Sequence, residues 1–527
     1  MQTSKSQTVS EVRGSHSNRL KTFLYLTAAV CGAAILIVEI LGAKMLAPFF
    51  GTSHFVWTAQ IGVTLVSLAA GYYLGGKIAD RKPNPSLLYL FILFAAIYLC
   101  LTVPLCRPIS YQCLKFKLAA GSLMASLFLF FIPLMLLATV APFIVKLLTS
   151  SIQVVGCQVG RLSAVSTLGS VAGTLLIGYI LIPHLPNSVT MVITAICLML
   201  LTTIYFFKFH WRKKGTLAGV ATSIIGGLII GYSGIHAEAN LEYAGMEVLE
   251  QRNSNFGLMQ VLQSTNQFRR YYLNDFLTQN IYDPSKKQSL ALFTYMLHLL
   301  AKSYKENIND VLCIGLGVGI VPMEFAKEQA RVDVVEINPA VIAIAEKHFD
   351  LKPHLLNIHI GDGRYFLNQC GKRYDAIILD AFLGDSSPSH LMTKEAFESM
   401  RNLLKPDGVL IINSFGDLEP GRDFFTASLQ KTLKTVFRSV KIHTAHTGNI
   451  FFAASNREPM EFINKPDFSN VHPAVQFTVE LALNTIVEAN PAHGRILTDD
   501  FNPVEYYDAE NRERMRRWLA EFMKPSL

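Results

Sequence analysis

Seven long apolar stretches fill the first half of this chain, and they constrain its fold more than any other feature. They lie near 22–41, 55–76, 87–106, 118–148, 153–182, 188–207 and 216–235. A helix needs about 20 apolar residues to cross the hydrocarbon of a bilayer. In lipid every backbone polar group must be satisfied within its own segment, so stretches of this kind predict a helical membrane bundle. From about Lys21 to Gly234 charges are sparse, whereas from Glu238 onward they reach ordinary globular density. The overall 51% hydrophobic and 16% charged content averages these two regimes. The first stretch does not read as a cleavable leader. It contains Glu39, lacks a small-residue cleavage site at its end, and is followed by further spans.

The fourth stretch holds Pro133 and Pro142, which predict a kink or a strong tilt. The fifth carries Gly160, Ser163, Ala164, Gly169, Gly173 and Gly178, a density of small residues that lets helices pack closely in lipid. Glu39 is the one acidic residue well inside a predicted span. A functional role and a plain pairing with Lys44 near the helix end stand level there.

Basic residues mark the orientation. With the N-terminus in the cytoplasm, Lys5, Arg13, Arg19, Lys21, Lys77, Arg81, Lys82, Lys146, Arg161, Lys208, Arg212, Lys213 and Lys214 fall inside. Only Lys44, Arg107, Lys115 and Lys117 fall outside, which favours that orientation. Seven crossings would then leave the soluble half outside. The expectation is nonetheless a multi-pass protein of the cell (inner) membrane with its soluble half, the catalytic domain, in the cytoplasm. The net charge of +8 sits largely in loops between spans, so nucleic acid is not an expected partner. The eight cysteines form no CxxC pair and no cluster with zinc spacing, so neither a metal nor a structural disulfide is expected.

Beyond Glu238 the periodicity changes. Phe256 to Gln263 and Phe268 to Asn274 read as a β-hairpin. A helix near 288–304 follows, and then strands and helices alternate. Strands are expected at 310–314, 331–336, 356–360, 374–380 and 408–414, with a later pair near 439–445 and 449–455. Helices are expected after Gly319 and over 339–348, 394–404 and 422–435. This alternation predicts an α/β Rossmann-like domain.

The chemistry gathers at the strand ends. Asp310 to Ile314 runs into Gly315-Leu316-Gly317-Val318-Gly319. Glycines there allow a tight turn and close approach of a ligand, and the strand before and helix after make the motif specific. The second strand ends at Glu336, 17 residues beyond Gly319, where a carboxylate can accept both hydroxyls of a ribose. The third ends in Gly361-Asp362-Gly363 and the fourth in Asp380. Ligands of doubly wound sheets bind at that edge, so Gly315, Gly317, Gly319, Glu336, Asp362, Gly363 and Asp380 are the candidate site.

These residues, over roughly 245–455, resemble the spermidine synthase family of class I AdoMet folds. The match extends through Thr393-Lys394-Glu395-Ala396-Phe397 and Leu404-Lys405-Pro406-Asp407-Gly408. The membrane-fused branch is closest, through Asp380-Ala381-Phe382-Leu383-Gly384, Pro388-Ser389-His390-Leu391 and Leu497-Thr498-Asp499-Asp500-Phe501-Asn502-Pro503. The resemblance implies that Glu336 holds the ribose, Asp362 with Gly363 the adenine, and that Asp380 deprotonates the attacking amine. The chain departs from the family at Val318, where the family carries an Asp for the amine end. It departs again at Phe293-Thr294-Tyr295-Met296, where a His and a Glu are lost, and at Gly257, in place of a Gln.

An alkylammonium acceptor needs carboxylates in place of its hydration. Asp385, Asp499 and Asp500 are candidates, with turn or capping roles as the alternative. His298 and His390 are assigned no role. The layout expected is a disordered tail (1–20), a multi-span domain (21–237), a β-hairpin subdomain (238–285) and a nucleotide-binding catalytic domain (286–527). The function expected is transfer of an aminopropyl group from decarboxylated S-adenosylmethionine to an amine such as putrescine, without a metal. The partners are the amine and the lipid bilayer, with a homo-oligomer left open. The alternatives are an AdoMet-dependent methyltransferase acting on a lipid or amphipathic amine, and a polyamine transporter or sensor.

Overall fold

The computed structural model describes residues 3–149, 153, 155–209, 214–382 and 388–507, with isolated positions from 509 to 517. The chain divides into two compact units, Met1–Leu241 and Glu242–Ser526.

The first unit is helical. Seven of its helices are long and apolar enough to cross a membrane: Asn18–Phe50, His54–Arg81, Pro85–Cys113, Leu118–Leu148, Val155–His184, Asn187–Phe209 and Leu217–Ala239. The helix that carries the first of them begins at Thr3. The fourth breaks at Thr139, between Leu118–Ala138 and Val140–Leu148. Thr139 N–H bonds the Leu136 carbonyl at 3.2 Å in a tightened turn. Pro142 has no N–H for the Ala138 carbonyl, which accounts for the break, while Pro133 stays inside its helix. The fifth passes through a π-helical turn, Ile177–Leu181, just before Pro183.

Small residues bring the fifth span against the first. A Cβ on Gly173 would lie 2.7 Å from the Ala33 carbonyl oxygen, and Gly169 meets the Ala29 backbone in the same way. Ser170 Oγ donates to the Gly32 carbonyl at 3.0 Å. Contact this close is how helices associate where lipid removes the hydrophobic drive. Gly169→Leu is therefore expected to lower the unfolding midpoint of the detergent-solubilised protein. Gly178→Leu, where nothing lies within 4 Å, leaves it unchanged. A thermal scan of both variants checks this, and equal midpoints would refute the packing role.

The second unit opens with an antiparallel sheet in sequence order: β1 (Met246–Ser254), β2 (Gly257–Ser264), β3 (Arg270–Asn274), β4 (Leu277–Asp283) and β5 (Gln288–Ser289). The expected hairpin is its centre, with Met259 opposite Asn274. β1 escaped notice because its faces do not alternate: most of its residues are half-buried, charged ones included.

The larger sheet holds β6 (Asp310–Ile314), β7 (Arg331–Glu336), β8 (Asn357–Ile360), β9 (Tyr374–Leu379), β10 (Leu404–Phe415), β11 (Ser439–Thr444), β12 (Asn449–Ser455) and β13 (Ile486–Val487). Their order is β13-β11-β12-β10-β9-β6-β7-β8, with β10 to β8 parallel and the other three antiparallel. On β6, Val311 and Cys313 join one apolar cluster, with helices Leu292–Tyr304, Ile320–Lys327 and Ala340–His348. Leu312 and Ile314 join the other, with Lys394–Leu403 and Phe424–Val436. Helices thus cover both faces, and a strand buried on both sides reads as a continuous apolar run. Strand order reverses between β6 and β9, which opens a crevice at their carboxyl ends.

Candidate active site

A cavity of about 440 Å³ occupies that crevice. Gly315 leaves β6 at φ +100°, and the space a Cβ would take is filled by the Asp380 carbonyl. No other residue allows the ends of β6 and β9 to approach so closely at that backbone conformation. Gly317 lines the cavity beside it. Gly319, also at positive φ, starts the helix Ile320–Lys327 and packs on Leu351 behind the cavity wall.

Glu336 ends β7 with its carboxylate buried among backbone amides. Oε2 accepts from Leu316 N–H at 2.9 Å and Oε1 from Asn338 N–H at 2.7 Å. Burial pushes its carboxyl above the usual range, against the pull of the Asn338, Leu316 and Ile337 amides. Asp362 caps the helix Gly363–Gln369, accepting from Tyr365 N–H at 3.0 Å. Its other oxygen meets His390 Nε2 at 2.9 Å. Burial works against the charge on Asp362, yet the Tyr365 amide and His390 hold its carboxyl below the usual range.

Asp380 follows β9 and faces the same cavity. Its Oδ1 accepts from Asn413 Nδ2 at 2.8 Å. Desolvation pushes its carboxyl up to about 7, with the Asn413 amide pulling the other way. The structure therefore gathers Gly315, Gly317, Glu336, Asp362, Gly363 and Asp380 around one space. Val318, at its edge, is 2% exposed and belongs to the apolar core, so it brings no carboxylate there. Phe382 and Phe415 add an aromatic wall, their ring centroids 5.2 Å apart. Among the described residues no group of His, Cys, Asp and Glu converges as a metal site.

Residues 291–458 match the family model of the spermine/spermidine synthase domain. Over 241 residues the chain is 31% identical to a polyamine aminopropyltransferase of Vibrio vulnificus (strain CMCP6), an alignment spanning 42% of this chain and 77% of that one. The chain belongs to the spermine/spermidine synthase family. As a member of that family it is a transferase. It is also 34% identical over 139 residues to an N-terminal histidine N-methyltransferase of Emericella nidulans, across 25% of this chain and 24% of that one. The crystal structure of a probable spermidine synthase from Corynebacterium glutamicum matches at 16% identity and a TM-score of 0.38, over 49% of this chain and 97% of that one.

Other sequence candidates of this synthase-family chain fall elsewhere. Asp385 lies outside the described residues. Neither Asp499 nor Asp500 lines the cavity. Asp499 pairs with Arg364 at 2.8 Å and accepts from Thr393 Oγ1 at 2.6 Å, while Asn502 Nδ2 donates to the Ser389 carbonyl at 2.9 Å. The closing motif thus clasps the segment that carries His390. His298 is a partner of Glu328. Sequence reasoning missed His390, whose only signal is its place in Pro388-Ser389-His390-Leu391. It also missed Asn413 and Asn449, which carry no local signal.

Proposed function

We propose that the protein is a membrane-bound polyamine aminopropyltransferase. It would transfer the aminopropyl group of decarboxylated S-adenosylmethionine to an amine such as putrescine and release methylthioadenosine. The observation that carries this reading is Asp380: a carboxylate at the end of β9, raised to about 7, in one cavity with Glu336. A general base works best with its pKa near the operating pH. In the step proposed, the amine nitrogen attacks the propyl carbon bonded to sulfur. The C–S bond breaks with its electron pair going to sulfur, the sulfonium becomes a neutral thioether, and the amine's proton passes to Asp380. Holding both reactants in one crevice would supply much of the acceleration.

In this reading Glu336 accepts from the ribose hydroxyls, Asp362 with Gly363 orients the adenine, and Gly315 and Gly317 leave room for the nucleotide. The seven apolar helices support attachment to a membrane, and the cosubstrate's chemistry supports a cytoplasmic active site. Methyl transfer is the second reading. It is favoured by Val318, which gives the donor's amine end no carboxylate, and by the likeness to the Emericella methyltransferase.

Product analysis separates the two. Detergent-purified protein is incubated with decarboxylated or ordinary S-adenosylmethionine and a panel of amines. Methylthioadenosine formed from the decarboxylated donor is the expected result. S-adenosylhomocysteine from the ordinary donor would replace the first reading by the second, and neither product would overturn both.

A further inference from the structure

The structure assigns Asn413 and Asn449 a positioning role: together they decide which oxygen of Asp380 faces the acceptor amine. This rests on Asp380 being the base. Asn413 lies on β10 and Asn449 opens β12. In the antiparallel ladder Phe451 stands opposite Asn413 and Phe415 opposite Asn449, so the two asparagines are diagonal neighbours on one face. Asn449 Nδ2 donates to Asn413 Oδ1 at 3.0 Å, and Asn413 Nδ2 donates to Asp380 Oδ1 at 2.8 Å. All three residues line the cavity.

A side-chain amide has one accepting end and one donating end. With the oxygen of Asn413 taken by Asn449, only its NH₂ can face Asp380. Reversed, the amide would set its oxygen against a carboxylate oxygen and disfavour the ionised form that must accept a proton. Asn449 therefore governs the base without touching it. Oδ1 of Asp380 is committed to Asn413, which leaves Oδ2 for the amine. The other titratable groups of the cavity are Tyr272, Glu336, Asp362 and His390. Beside them, on neighbouring β6, the buried Cys313 thiol is pushed up by desolvation and by the Asp380 charge. None of these depends on Asn449. The hydrogen bond from Asn413 is what pulls the Asp380 carboxyl down against burial, so its loss moves that carboxyl upward.

The test measures methylthioadenosine release by the full-length protein between pH 5 and 10, for wild type, Asn413→Ala, Asn449→Ala and Asn449→Ser. The alanine variants are expected to move the midpoint of the acidic limb upward by about one pH unit, which is about tenfold in rate below the midpoint. Activity recovers at alkaline pH and the donor KM is unchanged. The serine variant, which restores a donor, moves the midpoint back towards wild type. An unmoved midpoint in both alanine variants, with or without a uniform loss of rate, would overturn the assignment. If Asn413→Ala does not fold, the half-buried Asn449 gives the same reading alone. Asp380→Asn is the control. Should it retain full turnover, the base reading itself falls. Should it be inactive while the asparagine variants keep the wild-type midpoint, only the positioning role falls.

Discussion

Asp380→Asn is expected to cut turnover by about 10²- to 10⁴-fold while leaving nucleotide affinity within about twofold. The amide keeps the shape of the side chain but cannot take a proton from the amine. Stability separates this role from a structural one. The folded carboxyl titrates at about 7, well above the ordinary range, so the folded chain holds this proton more tightly than the unfolded chain does. Stability from that group is fully present below about pH 4 and is lost as pH rises to about 7. Asparagine carries no such charge. The variant should therefore melt at or above the wild-type temperature at pH 8, although nearly inactive. A residue that merely braced the strand end would give a lower melting temperature and near-normal turnover. One calorimetric scan and one rate measurement on the same preparation decide between them.

Glu336→Ala is expected to weaken methylthioadenosine binding by about 1–3 kcal/mol, roughly 5- to 150-fold. The carboxylate accepts from the amides of Leu316 and Asn338 and so ties the glycine-rich turn to the end of β7. Alanine leaves both buried amides without an acceptor, so the melting temperature should fall as well. Glu336→Gln keeps one acceptor but turns an NH₂ towards the other amide, and should lie between wild type and alanine. Isothermal calorimetry with methylthioadenosine checks the series. Unchanged affinity in the alanine variant would show that the nucleotide does not use this carboxylate.

Much of this site was legible in the chain because it is written in short segments. Gly315, Gly317, Asp362 and Asp380 each come just after a strand expected from the sequence, Glu336 ends one, and each lines the cavity. Asp499 belongs to a motif equally visible, yet its carboxylate turns to Arg364 and Thr393. The motif announces that the residue matters and says nothing of where it points. β1 was missed for a related reason. Charged residues such as Glu247 and Glu250 hide its pairing, which β2 supplies.

The seven apolar spans and the run of strand-end residues can be read from the chain alone. Span length and the glycine-rich turn are properties of neighbouring residues and depend on nothing distant. What those residues can do depends on neighbours that folding brings to them. Gly169 leaves no room for a side chain only because Ala29 lies against it, while a Cβ on Gly178 would meet nothing within 4 Å. Asp380 becomes a carboxyl poised near neutrality only because the fold buries it and sets the Asn413 amide, from another strand, against one of its oxygens. Burial and orientation are sums over atoms that chain folding brings together, so no local stretch of sequence carries them.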